Sequence, residues 1–137
     1  LLGEPVAGET ADGYAFPTPE RLAAQTEESL APLRAGFRTG YLLDAAEKVA
    51  SGQLSLEEVA VMPLEDARTA LRTIRGVGPK VAECALLYGF HRLEAFPVDT
   101  WIKKVLARYY PQGFPPLQPA GVAQQFLFHY IRSLPED

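Results

Sequence analysis

Two residues in the middle of the chain, Lys80 and Asp99, have the types and the setting for covalent chemistry. Lys80 stands two residues after the glycine turn Gly76-Val77-Gly78, in GVGPKVAEC, and Asp99 stands in FPVDTW, where it opens a helix. A neutral lysine amine is a nucleophile toward an electrophilic carbon, and a fixed carboxylate stabilises positive charge that develops beside it. A helix N-terminus, partial desolvation and neighbouring cations each favour the unprotonated amine that such an attack needs. Each residue also has a plainer reading. Lys80 alone reads as a solvated or phosphate-binding lysine, and Asp99 alone as the N-cap of the helix beginning near Thr100. The two roles of Asp99 are compatible, because a capping carboxylate is held in a fixed orientation.

The turn that carries Lys80 is suited to holding an anion. Glycines flanking Val77 allow positive φ and let a ligand approach without meeting a Cβ. Pro79 suits the first position of the following helix, where its missing N–H costs nothing, and the free amides there favour a phosphate. A lone GxG is equally the mark of an ordinary tight connection between helices.

The rest of the chain must support this device. Its 137 residues, 47% hydrophobic, are enough for a single domain with one core. One Cys excludes a disulfide framework and any cluster or zinc site built from several thiolates, and points to a reducing compartment. No apolar run approaches the length of a bilayer crossing, so no membrane association is expected. The net charge of −4 hides an asymmetry. Between Leu71 and Tyr110 seven basic side chains face three acidic ones, a net of +4, whereas the remainder has six against fourteen, a net of −8. Such a segment reads either as a footprint for phosphates or as ordinary solvated helix faces.

Capping and periodicity place the elements. Residues 1–16 form an irregular lead-in rich in Gly and acidic residues. Thr18 as N-cap and Pro19 at the first position open a helix to about Ala24, and Thr26 caps a short turn through Leu33. GFRTGYLLDAAEKVASG carries apolar residues at helical spacing, with Gly52 just past the end. Ser55 with Glu58 makes a capping box for a short helix ending near Met62. Further helices are expected over Pro63–Ile74, Pro79–Tyr88, Thr100–Tyr109 and Pro119–Leu134, and no strand of convincing length. The fold class is therefore all-α, a compact bundle of short helices over residues 17–137 with a hairpin at about 64–89.

GVGPKVAEC followed by FPVDTW resembles the helix-hairpin-helix DNA glycosylases, and within them the 8-oxoguanine branch, with Lys80 and Asp99 at the spacing of that branch. The likeness extends more weakly from about Phe16 to Arg132. The resemblance implies excision of oxidised guanine from duplex DNA, with Lys80 and Asp99 catalytic, followed by lyase action on the abasic site. Such an enzyme flips the nucleotide out of the duplex. By the same resemblance Cys84 lies against one face of the flipped base, Phe128 stacks on the other, and Gln124 brings an amide to its Watson-Crick edge. Phe37 and Arg38 take the places of a wedge and a donor to the orphaned cytosine. Read without the family, Cys84 is a small buried hydrophobe, Phe37 and Phe128 are core aromatics, and Arg38 is a surface charge.

Three positions depart from the family pattern: Arg75 stands where Pro is frequent, Val122 where an aromatic is common, and Trp101 where some relatives have a smaller polar residue. Arg75, Gly76, Val77, Gly78, Lys103 and Trp101 join Phe37 and Arg38 as expected DNA contacts. The family has further helices upstream, and a sequence beginning at Leu1 rather than Met is expected to lack them. No metal site and no iron-sulfur cluster are expected, although the hairpin leaves room for a monovalent or divalent cation. The expected partner is duplex DNA containing oxidised guanine, the expected state a monomer, and the expected location the cytoplasmic nucleoid of a bacterium or the nucleus of a eukaryote. Two readings stay open: a bifunctional glycosylase/lyase, favoured by the Lys80 and Asp99 pair, and a non-catalytic helix-hairpin-helix DNA-binding module.

Overall fold

The helices begin where side chains can satisfy their first amides. Thr18 Oγ1 accepts the backbone N–H of Arg21 at 3.3 Å, and Pro19 takes the first position of α1, Pro19–Ala23. Thr26 and Ser29 cap each other, each backbone N–H donating to the other's hydroxyl, at 3.0 and 3.2 Å. A 3-10 turn at Gly36–Arg38 runs straight into α2, Thr39–Ala50. There follow α3, Leu56–Val61; α4, Leu64–Leu71; α5, Pro79–Cys84; α6, Thr100–Tyr109; and α7, Ala120–Ser133. The computed structural model describes residues 2–6 and 13–134; the expected bounds at 1, 7–12 and 135–137 lie outside the described residues. Among the described residues there are seven α-helices and no strand, and the lead-in carries one isolated antiparallel bridge between Pro5 and Tyr14.

The chain divides into two compact units, Leu1–Leu56 with Ile74–Gly76, and Glu57–Thr73 with Val77–Asp137. In the first, α1 packs on α2 around buried Leu22, Leu30 and Ala46. In the second, α4 packs on α5 and α6 on α7, over a core that includes Val59, Leu71, Leu86, Ile102, Val105 and Ile131. Helices this short are marginal in isolation. Their stability comes from such burial, about 1.5–3 kcal/mol for each large apolar side chain.

One helix departs from expectation in a way that reaches the site. Pro79 to Tyr88 is expected to be a single α-helix, but α-helical bonding ends at Cys84 and the chain widens into a π turn over Ala85–Gly89. The Phe90 N–H accordingly donates to Ala85 O, five residues back, at 3.1 Å. Tyr88 lies within this wider turn.

Candidate active site

The glycine turn is anchored from within the first unit. Arg75 N–H donates to Asp44 Oδ2 at 2.7 Å, and Asp44 Oδ1 also receives Lys48 Nζ at 2.5 Å. The Lys48 ammonium, and then the Arg75 amide, hold the Asp44 carboxyl below the usual carboxylate range. Gly76 has φ +81°, and a Cβ there would lie 2.2 Å from the Tyr41 ring, so conformation and contact both require glycine. Gly78 differs. Its φ is −92° and a Cβ would meet nothing within 4 Å, which leaves open space at the head of α5. No side chain caps α5 there, so its first amides are available to a ligand.

Lys80 is the second residue of α5 and is exposed, and the free thiol of Cys84 sits half-buried one turn later. The inward face of the same helix carries Ala82 and Glu83, both buried. Glu83 is paired with Arg68 of α4, through Arg68 Nε to Oε1 and Arg68 Nη2 to Oε2 at 3.3 Å, and its Oε2 accepts the backbone N–H of Phe96 at 2.7 Å. Asp99 does cap α6: its Oδ1 accepts the N–H of Ile102 at 2.8 Å. Its residue is half-buried and its backbone extended.

Tyr88 joins the turn after α5 to α7. Its hydroxyl meets Gln125 Nε2 at 2.5 Å. Partial burial, and then the neighbouring Cys84 and Asp99, push its phenol above the usual range, while the bond from Gln125 opposes them.

Gln124 faces inward, with 3% of its surface exposed. Its Nε2 donates to Pro97 O at 2.8 Å and its Oε1 accepts from Gln125 Nε2. Phe128, by contrast, is half-buried on the rim of a cavity of about 470 Å³ shared with Gln125, His129, Arg132 and Ser133. The Arg132 guanidinium lies 5.2 Å from its ring centre, so Phe128 is not a core aromatic.

No family model matches the chain. A "Probable N-glycosylase/DNA lyase" of Methanothermobacter thermautotrophicus is 33% identical over 117 residues, 72% of this chain and 37% of that protein. The solved structure of MBOgg1 in complex with a low-affinity DNA ligand superposes with a TM-score of 0.84 and 38% identity, over 96% of this chain and 50% of its own. The chain belongs to the helix-hairpin-helix DNA glycosylases, in their 8-oxoguanine branch. The 8-oxoguanine glycosylase/lyase of Clostridium acetobutylicum, solved with duplex DNA containing cytosine opposite 8-oxoguanine, has a TM-score of 0.83 and 33% identity over 96% of this chain and 49% of its own. This chain therefore spans about a third of the curated relative and half of the solved ones.

The other positions singled out in the sequence are spread over both units. In the first unit Phe37 is 75% exposed, edge-on to Tyr41, with the Arg38 guanidinium 5.7 Å from its ring centre. That exposure removes the core reading of Phe37. The exposed Arg75 guanidinium lies 5.7 Å from the Tyr41 ring centre. In the second unit Lys103 is exposed on α6, and half-buried Trp101 lies beneath the ammonium of Lys104 at 4.6 Å. Val122 is 40% exposed and lines a 420 Å³ apolar cleft with Leu87, Leu93 and Phe126. Sequence reasoning overlooks Arg68, Glu83, Tyr88, Gln125 and Asp44. Asp44 and Lys48 share the i, i+4 spacing of an ion pair, whereas nothing local marks Glu83 or the π turn that contains Tyr88. Among the described residues, no group of three His, Cys, Asp or Glu side chains is placed to hold a metal ion, and no helix is long and apolar enough to cross a membrane.

Proposed function

We propose that this chain carries the catalytic part of a bifunctional DNA glycosylase/lyase that removes 8-oxoguanine from duplex DNA in base-excision repair. The observation that supports it best is an exposed lysine at the second position of α5 and a half-buried aspartate capping α6, both within the second compact unit. The Nζ lone pair of Lys80 forms a bond to C1′ while the C1′–N9 bond breaks; the base leaves with the bonding electrons and takes up a proton, and Nζ gives one up. Asp99 stabilises the positive charge that grows on the sugar. Cleavage of C1′–O4′ then opens the ring to a Schiff base on Nζ. Loss of a C2′ proton expels the 3′ phosphate by β-elimination. These steps draw on side chains alone, so the reading requires no cofactor. Exposed Arg75 and Lys103, and the amides at the head of α5, hold phosphates; Phe37 and Arg38 meet the orphaned strand; and Phe128 stacks on the extruded base. The enzyme acts as a monomer wherever the DNA is held, in a nucleoid or a nucleus.

One observation favours the second reading, a non-catalytic DNA-binding module. The Gln124 amide expected at the base edge is bonded at both ends to protein. The readings separate on a duplex with one 8-oxoguanine opposite cytosine. The enzyme releases the free oxidised base and cuts the strand on its 3′ side. Tight binding with neither product at enzyme excess establishes the module instead.

A further inference from the structure

We propose that the Arg68–Glu83 pair is a positioning device for Asp99, gripping the backbone N–H of Phe96 and so fixing the segment that delivers the carboxylate to the reacting sugar. The proposal rests on the role given to Asp99 above and adds to it the means by which the fold aims that residue.

The loop from His91 to Val98 has no helical ladder to hold it, and its backbone includes a left-handed residue, His91, at φ +56°. Its early part is tied down by Gly121 N–H to Leu93 O at 2.8 Å. Near Asp99 the handles are fewer, because Pro97 has no N–H to offer. Two remain. Phe96 N–H donates to Glu83 Oε2 at 2.7 Å, and Pro97 O accepts from Gln124 Nε2 at 2.8 Å. The Phe96 ring also stacks on Phe114, with centroids 4.7 Å apart. Asp99 follows three residues after the first of these handles.

The acceptor is an ionised side chain with only 9% of its surface exposed, sitting on the helix that carries Lys80. A partly buried ion pair, here with Arg68 shared with exposed Glu65, is a poor way to gain stability, since an apolar pair of similar volume packs as well without desolvating charge. An apolar side chain cannot accept an amide proton. A carboxylate held by a guanidinium can, and the bond is strengthened by its charge. Arg68 completes the arrangement by neutralising Glu83 from α4, and no buried side-chain polar atom among the described residues lacks a partner. The clasp thus references Asp99 to α5, so nucleophile and carboxylate move as one body. Displacements near 1 Å cost on the order of a hundredfold in rate, which is the sensitivity this device guards against.

The test uses two double variants that remove the charge pair but differ in the acceptor. Arg68→Met with Glu83→Gln keeps a carbonyl oxygen facing Phe96, whereas Arg68→Met with Glu83→Leu does not. Three quantities are measured: the single-turnover excision rate on the 8-oxoguanine duplex, the Kd for that duplex, and hydrogen exchange at the Phe96 amide. The Leu variant is expected to bind within about threefold of wild type and to excise about 10- to 100-fold more slowly. Its Phe96 amide exchanges freely, and the Gln variant recovers most of the rate and the protection. A Leu variant that excises at the wild-type rate overturns the proposal, as does a Gln variant as slow as the Leu variant. Should the Leu variant not fold, Glu83→Gln alone against Glu83→Ser, whose shorter side chain withdraws the acceptor, asks the same question with the same readouts. A wild-type chain that excises nothing counts against the proposed function, while the exchange measurement still decides whether the clasp holds Phe96.

Discussion

Asp99 carries two duties that a single substitution separates. Asparagine caps a helix about as well as aspartate, so Asp99→Asn should leave the α6 cap and the thermal midpoint nearly unchanged. Without the negative charge, excision should slow by about 10²–10³-fold while duplex affinity is kept. Loss of binding instead would mean that the residue is structural first. Gly76→Ala probes the turn in the same manner. A positive φ of 81° and a contact at 2.2 Å with the Tyr41 ring should together cost at least about 1–2 kcal/mol, read as a lower urea midpoint. Gly78→Ala should cost far less, since its φ is negative and the space around it open. At this scale the sequence reveals which residues are chemical but not where flexible ones point. Helical spacing puts Gln124 and Phe128 on one face of α7, yet the amide of Gln124 turns back to Pro97 O while Phe128 faces a cavity.

Among the elements, those that begin with a side-chain cap or a proline are the ones legible beforehand. Thr18 and Asp99 both accept the expected amides, and Pro79 opens α5. The π turn after Cys84 is not legible, because ALLYG has the same apolar pattern in either kind of turn. Nor is the tie between α2 and the glycine turn, which depends on contacts 31 residues apart in sequence. That tie predicts a dependence on acidity. The Asp44 carboxyl titrates lower in the folded chain than in the unfolded one, first through Lys48 and then through the Arg75 amide. Its contribution is therefore complete above about pH 5 and lost as pH falls through the folded value, below about pH 4. Asp44→Asn should lower the urea midpoint at pH 7, and the gap to wild type should narrow as pH falls below about 4. A gap that persists unchanged at pH 3 would show that the effect is not ionic.

Across the whole molecule, the net charge of −4 conceals the basic segment from Leu71 to Tyr110. Its exposed members include Arg75 and Lys103. Replacing both by Gln should weaken binding to any duplex alike and reduce the slope of log K against log salt by about 2. An unchanged slope would place the phosphate contacts elsewhere. The all-helical fold, the hairpin and the family are legible from one stretch of sequence because glycine, proline and capping aspartate each impose a local geometry. The clasp behind Asp99 is not, because this partly buried ion pair joins residues that only the packed fold brings together. The most direct measurement is borohydride reduction of the chain mixed with a duplex carrying 8-oxoguanine opposite cytosine. Wild type should yield a covalent protein–DNA adduct through Lys80, and Lys80→Gln should yield none. Absence of any adduct from wild type at saturating protein, or an equal adduct from Lys80→Gln, would contradict a catalytic role for Lys80.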